Sequence, residues 1–433
     1  MHSYTRCDNS SLGPSWSRSN VVLAFLFSFL TLMQSAQGQT YRVIYNFTGN
    51  ADGAFPYAGL TIDQAGNLYG TAFEGGYLGG DCAVSSGCGV AYQLSRRGAG
   101  WSLSLLHTFV GGNADGAYPW TRVVIGPQGD LYGTTFGGGC DYGCGTVFKL
   151  SRPPTAAANA VNTWRENIIH RFNDGQGYGP ALADLNFDGA GNIYGTTVGA
   201  WGQTVFELTP SGGEWTFATL YQFLSAGDGG APYGGVVPYP DGKLYGTTFT
   251  GGSDVCSYES LTCGTFYELS PSQNGWTETV LYEFRDKTLL GGFPTGGLLL
   301  DHGNLYGSTT IGGASGGGTV FMMSPPFQSP IIMWSLSGDE ANGIIGPWAN
   351  LTMDQQGNLY GTTYQDGSYG MGTIFKISPT SEGWNYTSLH EFSNCDDGCL
   401  PTSNVIMDNN GHLYGTASNG GAHGSGVVWE ITP

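Results

Sequence analysis

Positive charge is scarce in this chain: 14 Lys and Arg face 33 Asp and Glu, giving a formal net charge of −19. Charged residues of both signs make up only 11%, less than half the roughly 25% of an ordinary globular chain. Phosphate backbones and anionic lipid surfaces need clustered Lys and Arg, and no such cluster is present. Nucleic acid is therefore excluded as a partner. Residues 39–433 contain no amphipathic helical period and no apolar run long enough to cross about 30 Å of hydrocarbon. Motifs of chemistry are missing too. There is no G-x-S-x-G, H-E-x-x-H or P-loop pattern, no D-x-D-x-D-G calcium loop and no S-x-D-x-G-x-x-W Asp-box. The expectation is a chain with no cofactor, no metal and no catalytic residue that a motif can name.

What the chain has in excess is glycine, 74 of 433 residues, together with 13% aromatics. Disordered chains are poor in aromatics and rich in charge, so this composition describes a folded, turn-rich protein. The N-terminus reads as an export signal over residues 1–38. Arg6 and Arg18 precede the apolar run Val21–Met33, and Ala36 and Gly38 place a cut before Gln39. Eight cysteines follow the cut in four close pairs: Cys82/Cys88, Cys140/Cys144, Cys256/Cys263 and Cys395/Cys399. Two CxxxC pairs could supply zinc thiolates, but they lie in different repeats and lack a His at ligand spacing. In an exported chain the expectation is four disulfides, paired by proximity. The expected location is extracellular or at the cell surface, as a monomer with no membrane span once the signal is removed.

Self-comparison is the most informative step. A hexamer of the form NLYGTT recurs seven times, with its tyrosine at Tyr69, Tyr132, Tyr194, Tyr245, Tyr306, Tyr360 and Tyr414. Around it each unit breaks into four strand-like pieces. A short apolar run such as GLTID at 59–63 comes first, then the hexamer, then a piece like VFKL at 147–150. The fourth runs from Trp to an aromatic pair, as in WSLSLLHTF at 101–109. Period-two alternation, β-branched enrichment and intervening turn residues all point to antiparallel strands. Four such strands repeated seven times predict an all-β, seven-bladed propeller of four-stranded antiparallel blades, occupying 39–433 as one domain. The piece at 40–47, TYRVIYNF, matches a fourth strand but precedes the first complete unit, and the last unit stops at its third strand. Strand 40–47 is therefore expected to complete the last blade and close the ring.

The pattern D-x-x-G-N-L-Y-G-T-T, followed by a Gly-rich loop, G-T-V-F-x-L-S-P, Trp and L-Y-x-F, resembles the GloVer-type tandem-repeat family of secreted bacterial proteins. The resemblance covers Tyr41 to Pro433. It implies export and a propeller-like array, and it brings no activity and no catalytic residue.

A residue present in every unit is expected to be architectural. The glycines of the hexamer are expected to admit a neighbouring blade, and its tyrosines to pack between blades. His107, His170 and His390 occupy the slot held elsewhere by Tyr45, Tyr221 and Tyr282, which points to packing rather than acid–base work. Asp63, Asp301, Asp354 and Asp408 precede Gly-containing turns and are expected to bond their own backbone. Strand order puts the loops from strand two to three, and from strand four to the next strand one, on one face; these are the longer and more varied loops. The inter-blade loop reads Asp-Gly-x-x-Pro-aromatic in its clearest copies. It yields the candidate ligand-binding residues Asp52, Tyr57, Asp115, Trp120, Asp228, Tyr233, Trp348 and Asp397. Carboxylates accept from sugar hydroxyls and flat rings stack on pyranose C–H faces, so the reading is a non-catalytic binding or interaction propeller. Its expected partner is an extracellular glycan ahead of a protein. The rival readings are a carbohydrate-active hydrolase or lyase using a carboxylate pair on that face, and a structural surface protein.

Overall fold

The recurrent hexamer is a buried strand in every copy, from Leu68–Ala72 in the first to Leu413–Ala417 in the last. The computed structural model describes residues 39–433 except 85, 153–163, 174–175, 177–178, 181–183, 200–201, 225–226, 254, 257–260, 286–289 and 339–345. The expected signal, 1–38, lies outside the described residues.

Seven four-stranded antiparallel sheets follow one another along the chain. Blade 1 comprises Thr61–Ile62, Leu68–Ala72, Val90–Arg97 and Gly100–Thr108, paired in that order. Blade 2 comprises Val124–Ile125, Leu131–Thr135, Thr146–Ser151 and Arg165–Arg171. The same plan holds for blade 3 from Asn186 to Phe223, blade 4 from Val236 to Glu283, blade 5 from Leu299 to Ser337 and blade 6 from Thr352 to Glu391. Blade 7 takes Ile406–Met407, Leu413–Ala417 and Val427–Thr432 from the C-terminal end, and its outer strand is Thr40–Asn46. That strand runs antiparallel to the last one, with Thr40 opposite Thr432 and Asn46 opposite Val427. The ring is closed as the sequence pattern requires. Among the described residues no helix is long and apolar enough to cross a membrane.

Cross-strand register explains the hexamer glycine. Gly133 pairs with Phe148 and Gly361 with Phe375, and a Cβ on either glycine would stand 2.6 Å from the Cζ of that ring. The third-strand aromatic of the same blade brings the tip of its ring against the glycine. The expectation that a neighbouring blade makes this approach is thereby corrected: the close partner is intrablade, because the ring folds back over its own sheet.

The tyrosine beside it does reach across. Tyr69 meets Trp164 of blade 2 at 6.0 Å, and Tyr132 meets Trp215 of blade 3 at 5.9 Å. The hydrophobic core is thus distributed over the blade junctions, in clusters such as Tyr69, Phe109, Leu131 and Phe148. The threonine after the glycine stitches blades by backbone: Thr71 Oγ1 donates to Thr121 O at 3.1 Å and Thr362 Oγ1 to Ser403 O at 2.8 Å. Across the closure, Thr416 Oγ1 donates to Ala58 O at 2.9 Å.

All four expected disulfides are formed, Cys82–Cys88, Cys140–Cys144, Cys256–Cys263 and Cys395–Cys399. Each cross-links one loop on the face where strand two meets strand three or one blade meets the next.

Candidate functional site

The inter-blade loop must turn the chain from an outer strand back to the axis within a few residues. It does so through a strained backbone. Phe55, Tyr118, Ala231, Phe293 and Leu400, each directly before a proline, have φ between 49° and 58°. Such values are unfavourable for bulky side chains and persist only where the surroundings fix them. Here the carbonyl of the strained residue accepts from the residue after the hexamer: Phe73 N to Phe55 O at 3.1 Å, Phe136 N to Tyr118 O at 3.0 Å and Phe249 N to Ala231 O at 2.9 Å. The residue after the proline is consequently delivered to the mouth of the axial channel.

In three blades that residue is an aromatic lining one cavity of about 260 Å³: Tyr57, Trp120 and Trp348. Tyr57 and Trp120 lie nearly parallel, 5.2 Å between centroids and 20° between planes. Phe73 and Phe136 back Trp120 edge-on at 4.7 and 6.2 Å. In the same lining Trp348 leans on Tyr364 at 5.5 Å.

The floor is polar. Arg122 Nε pairs with Asp184 Oδ2 at 3.0 Å, the Arg122 backbone N donates to Asp184 Oδ1 at 3.2 Å, and Asn350 Nδ2 donates to Asp184 Oδ2 at 3.2 Å. Asn350 Oδ1 accepts from Gly297 N at 2.5 Å. Arg122, Asn350 and Asn404 also line a second cavity of about 380 Å³ below, between the first strands of the blades. They form the constriction between the two.

Electrostatically the pocket is near neutral, since its one described carboxylate, Asp184, is matched by Arg122. Burial first, then Glu74 and Tyr364, push the Tyr57 phenol up, so it stays a neutral donor. Two lining atoms, Trp348 Nε1 and Asn404 Oδ1, are buried without a hydrogen-bond partner among the described residues. One is a donor and the other an acceptor. Buried polar atoms are ordinarily paired, and these two have almost no accessible surface of their own.

Of the eight residues read from the sequence, the structure brings Tyr57, Trp120 and Trp348 together on the pocket. Tyr233 instead packs on Phe249 at 5.3 Å and is not part of the lining. The four aspartates stand at blade junctions. Tyr45 OH donates to Asp52 at 2.9 Å and Tyr221 OH to Asp228 at 3.0 Å. His107 Nε2 lies 3.2 Å from Asp115 Oδ2, and His390 Nε2 lies 2.9 Å from Asp397 Oδ2.

Sequence reasoning missed Arg122, Asp184, Asn350, Asn404 and Tyr364. A signal for four of them was present. The position two residues before the first strand (one before it in blade 4) reads Gly59, Arg122, Asp184, Gly235, Gly297, Asn350 and Asn404, a position where seven copies do not agree.

Among solved structures, the chain is similar to a putative 6-phosphogluconolactonase from Bacteroides uniformis, at 14% identity over 77% of this chain and 84% of that one, TM-score 0.47. A putative 6-phosphogluconolactonase from Bacteroides fragilis is similar at 14% identity over 89% of each chain, TM-score 0.46. A putative oxidoreductase (glucose dehydrogenase) from Thermus thermophilus matches at 16% identity over 91% of this chain and 100% of that one, TM-score 0.39. At these identities and scores the likenesses carry no argument about activity. No curated protein matches the chain. The Gloeobacter/Verrucomicrobia repeat matches residues 31–202, 81–257 and 255–433, so together they span the propeller, and the chain belongs to that repeat family.

Proposed function

We propose that this protein is an exported, non-catalytic binding propeller whose axial pocket takes a single neutral sugar ring at the end of a glycan. The observation that carries this reading is one cavity lined by Tyr57, Trp120, Trp348 and Tyr364 together with the charge-neutral Arg122–Asp184 pair. A pyranose presents just these two surfaces, C–H faces for rings and hydroxyls for polar atoms. At about 30 Å³ per water, 260 Å³ is the space of roughly nine waters, which suits one ring rather than a buried chain.

Hydrolase or lyase chemistry has less support. Glycosidic cleavage uses two carboxyl groups about 5–9.5 Å apart, whereas the described pocket lining offers Asp184 alone, held by Arg122. Export rests on the N-terminal pattern and agrees with the four disulfides. Protein recovered from the culture medium should begin at Gln39 by N-terminal sequencing; an intact Met1 would refute cleavage.

The direct test is a glycan and polysaccharide binding screen followed by titration of the best ligand. Trp120→Ala and Trp348→Ala should each weaken binding by about two- to tenfold or more, since stacking against one aromatic is worth about 0.5–1.5 kcal/mol beyond area burial. Circular dichroism should show the β-sheet signal retained. Unchanged affinity in both variants would remove the pocket from the account.

A further inference from the structure

The blade junctions repeat one arrangement on the outer strands, and one copy departs from it in a way that calls for a ligand. A slot opposite the third strand holds Tyr45, His107, His170, Tyr221, Tyr282, Trp334 or His390. Where the slot is His, two junctions cover the imidazole with a ring from the next blade. Phe217 stacks on His170 at 4.0 Å, and Tyr41 stacks on His390 at 3.7 Å. At the junction of blades 1 and 2 the covering residue is Glu166 instead. Its carboxylate, His107 and Asp115 place one ligand atom each within 4.8 Å of one another.

Glu166 Oε1 is buried and accepts no hydrogen bond among the described residues. Burial, and next the Asp115 carboxylate, push Glu166 up to about 7. Arg171, whose charge also acts on Glu166, donates to Asn113 O and Ala114 O at 3.2 Å each. Asp115 already accepts from Val110 N at 2.8 Å and Gly116 N at 2.7 Å, which fixes its carboxylate in place. An anchored carboxylate, an unpartnered one and an imidazole thus converge on one point.

We propose that His107, Asp115 and Glu166 form a zinc-type divalent metal site that clamps blade 1 to blade 2. One imidazole nitrogen and two carboxylate oxygens are the donor set of zinc and its transition-metal neighbours, with a fourth position left for water. Calcium takes six to eight oxygens, so this set does not suit it. The cysteines are not competitors, because all eight in the described chain are disulfide-bonded.

The molecule holds its own control. At the junction of blades 3 and 4, Glu278 repeats Glu166, with an equally unpartnered Oε1 and a level of about 7 set by burial and then Asp228. There the slot is Tyr221, whose phenol burial and its bond to Asp228 keep protonated. A carboxyl pair without an imidazole results, one ligand short of the set at His107.

The test is calorimetric titration of chelator-stripped protein with Zn²⁺ at pH 7.5. Wild type should bind one equivalent. His107→Tyr, which copies the blade 3–4 junction, and Glu166→Gln should each weaken it by at least about tenfold, the scale of a lost metal-site partner. Glu278→Gln should leave it unchanged. The proposal is overturned if wild type binds no Zn²⁺, or if affinity survives in Glu166→Gln, which would assign binding to surface histidines such as His302 and His423. It is also overturned if Glu278→Gln weakens binding as much as Glu166→Gln, which would make the effect one of bulk charge. Should His107→Tyr fail to give the native β signal, the Glu166→Gln result decides alone.

Discussion

At the end of the blades where the first strand turns into the second, four copies are built alike. Asp63, Asp188, Asp354 and Asp408 each accept two backbone N–H groups through Oδ1 and a tyrosine hydroxyl through Oδ2, at 2.8 to 3.2 Å. At the opposite end the copies disagree. The residue entering the axis is glycine three times, asparagine twice, and arginine and aspartate once each. The difference separates scaffold from site. The turn end repeats in four blades and keeps a tight turn at Gly126, Tyr239 and Asp301 in the other three. The axial end packs against nothing but its own counterparts, and it is free to become asymmetric and to bind.

This contrast can be broken from the scaffold side first. Gly361→Val should be the most damaging single change. A Cβ there would stand 2.6 Å from Phe375 Cζ, and overpacking of that kind costs about 3 kcal/mol or more. Thermal melting followed by circular dichroism should show a drop of many degrees, and an unchanged melt would mean that the ring does not lie over the glycine. Asp354→Ala comes next, at about 2 kcal/mol, because it strands the Gln356 and Asn358 N–H groups and the Tyr360 hydroxyl.

Titration separates regions as well. Burial raises Asp63, Asp188, Asp354 and Asp408, but their hydrogen bonds outweigh it and hold all four below the usual 3.8. Their stabilisation is present above that value and is lost as pH falls through the folded pKa. The junction glutamates run the other way. Glu166 and Glu278 sit at about 7 against 4.5 unfolded, so the native state holds protons that the unfolded chain has released. Metal-free protein should therefore lose stability as pH rises from about 4.5 to 7. Discounted for partial solvent screening, the loss is on the order of 1 kcal/mol for Glu166. Melts across that range should flatten in the Glu166→Gln, Glu278→Gln double variant, and an equal slope would remove these two residues as its source.

The smallest stability effect belongs to the site itself. Trp348→Phe deletes an N–H with no partner among the described residues, so stability should shift by less than about 0.5 kcal/mol while sugar affinity falls as the stacking ring shrinks.

The strand pattern was readable because the hexamer, the Trp-led outer strand and the odd strand 40–47 are local signals repeated seven times. Ring closure followed from counting them. Cysteine pairing was readable because the partners lie four to seven residues apart. The site was half readable. Tyr57, Trp120 and Trp348 stand out by following a proline, whereas Arg122, Asp184 and Asn350 meet only because three different blades converge on one axis. Asp301 shows the limit of repetition: its turn is shortened to His302-Gly303, both at positive φ, and the carboxylate meets His302 rather than the backbone. Asp52, Asp115, Asp228 and Asp397 looked like an acidic face because their ring partners, Tyr45, His107, Tyr221 and His390, lie on the preceding outer strand and point back to them.

A crystal structure of the protein soaked with the monosaccharide that heads its best-binding glycan tests the account most directly. The account predicts one sugar ring in the cavity lined by Tyr57, Trp120 and Trp348, with hydroxyls toward Arg122 and Asp184. Sugar bound on the outer rim with the axial pocket holding only water would contradict it.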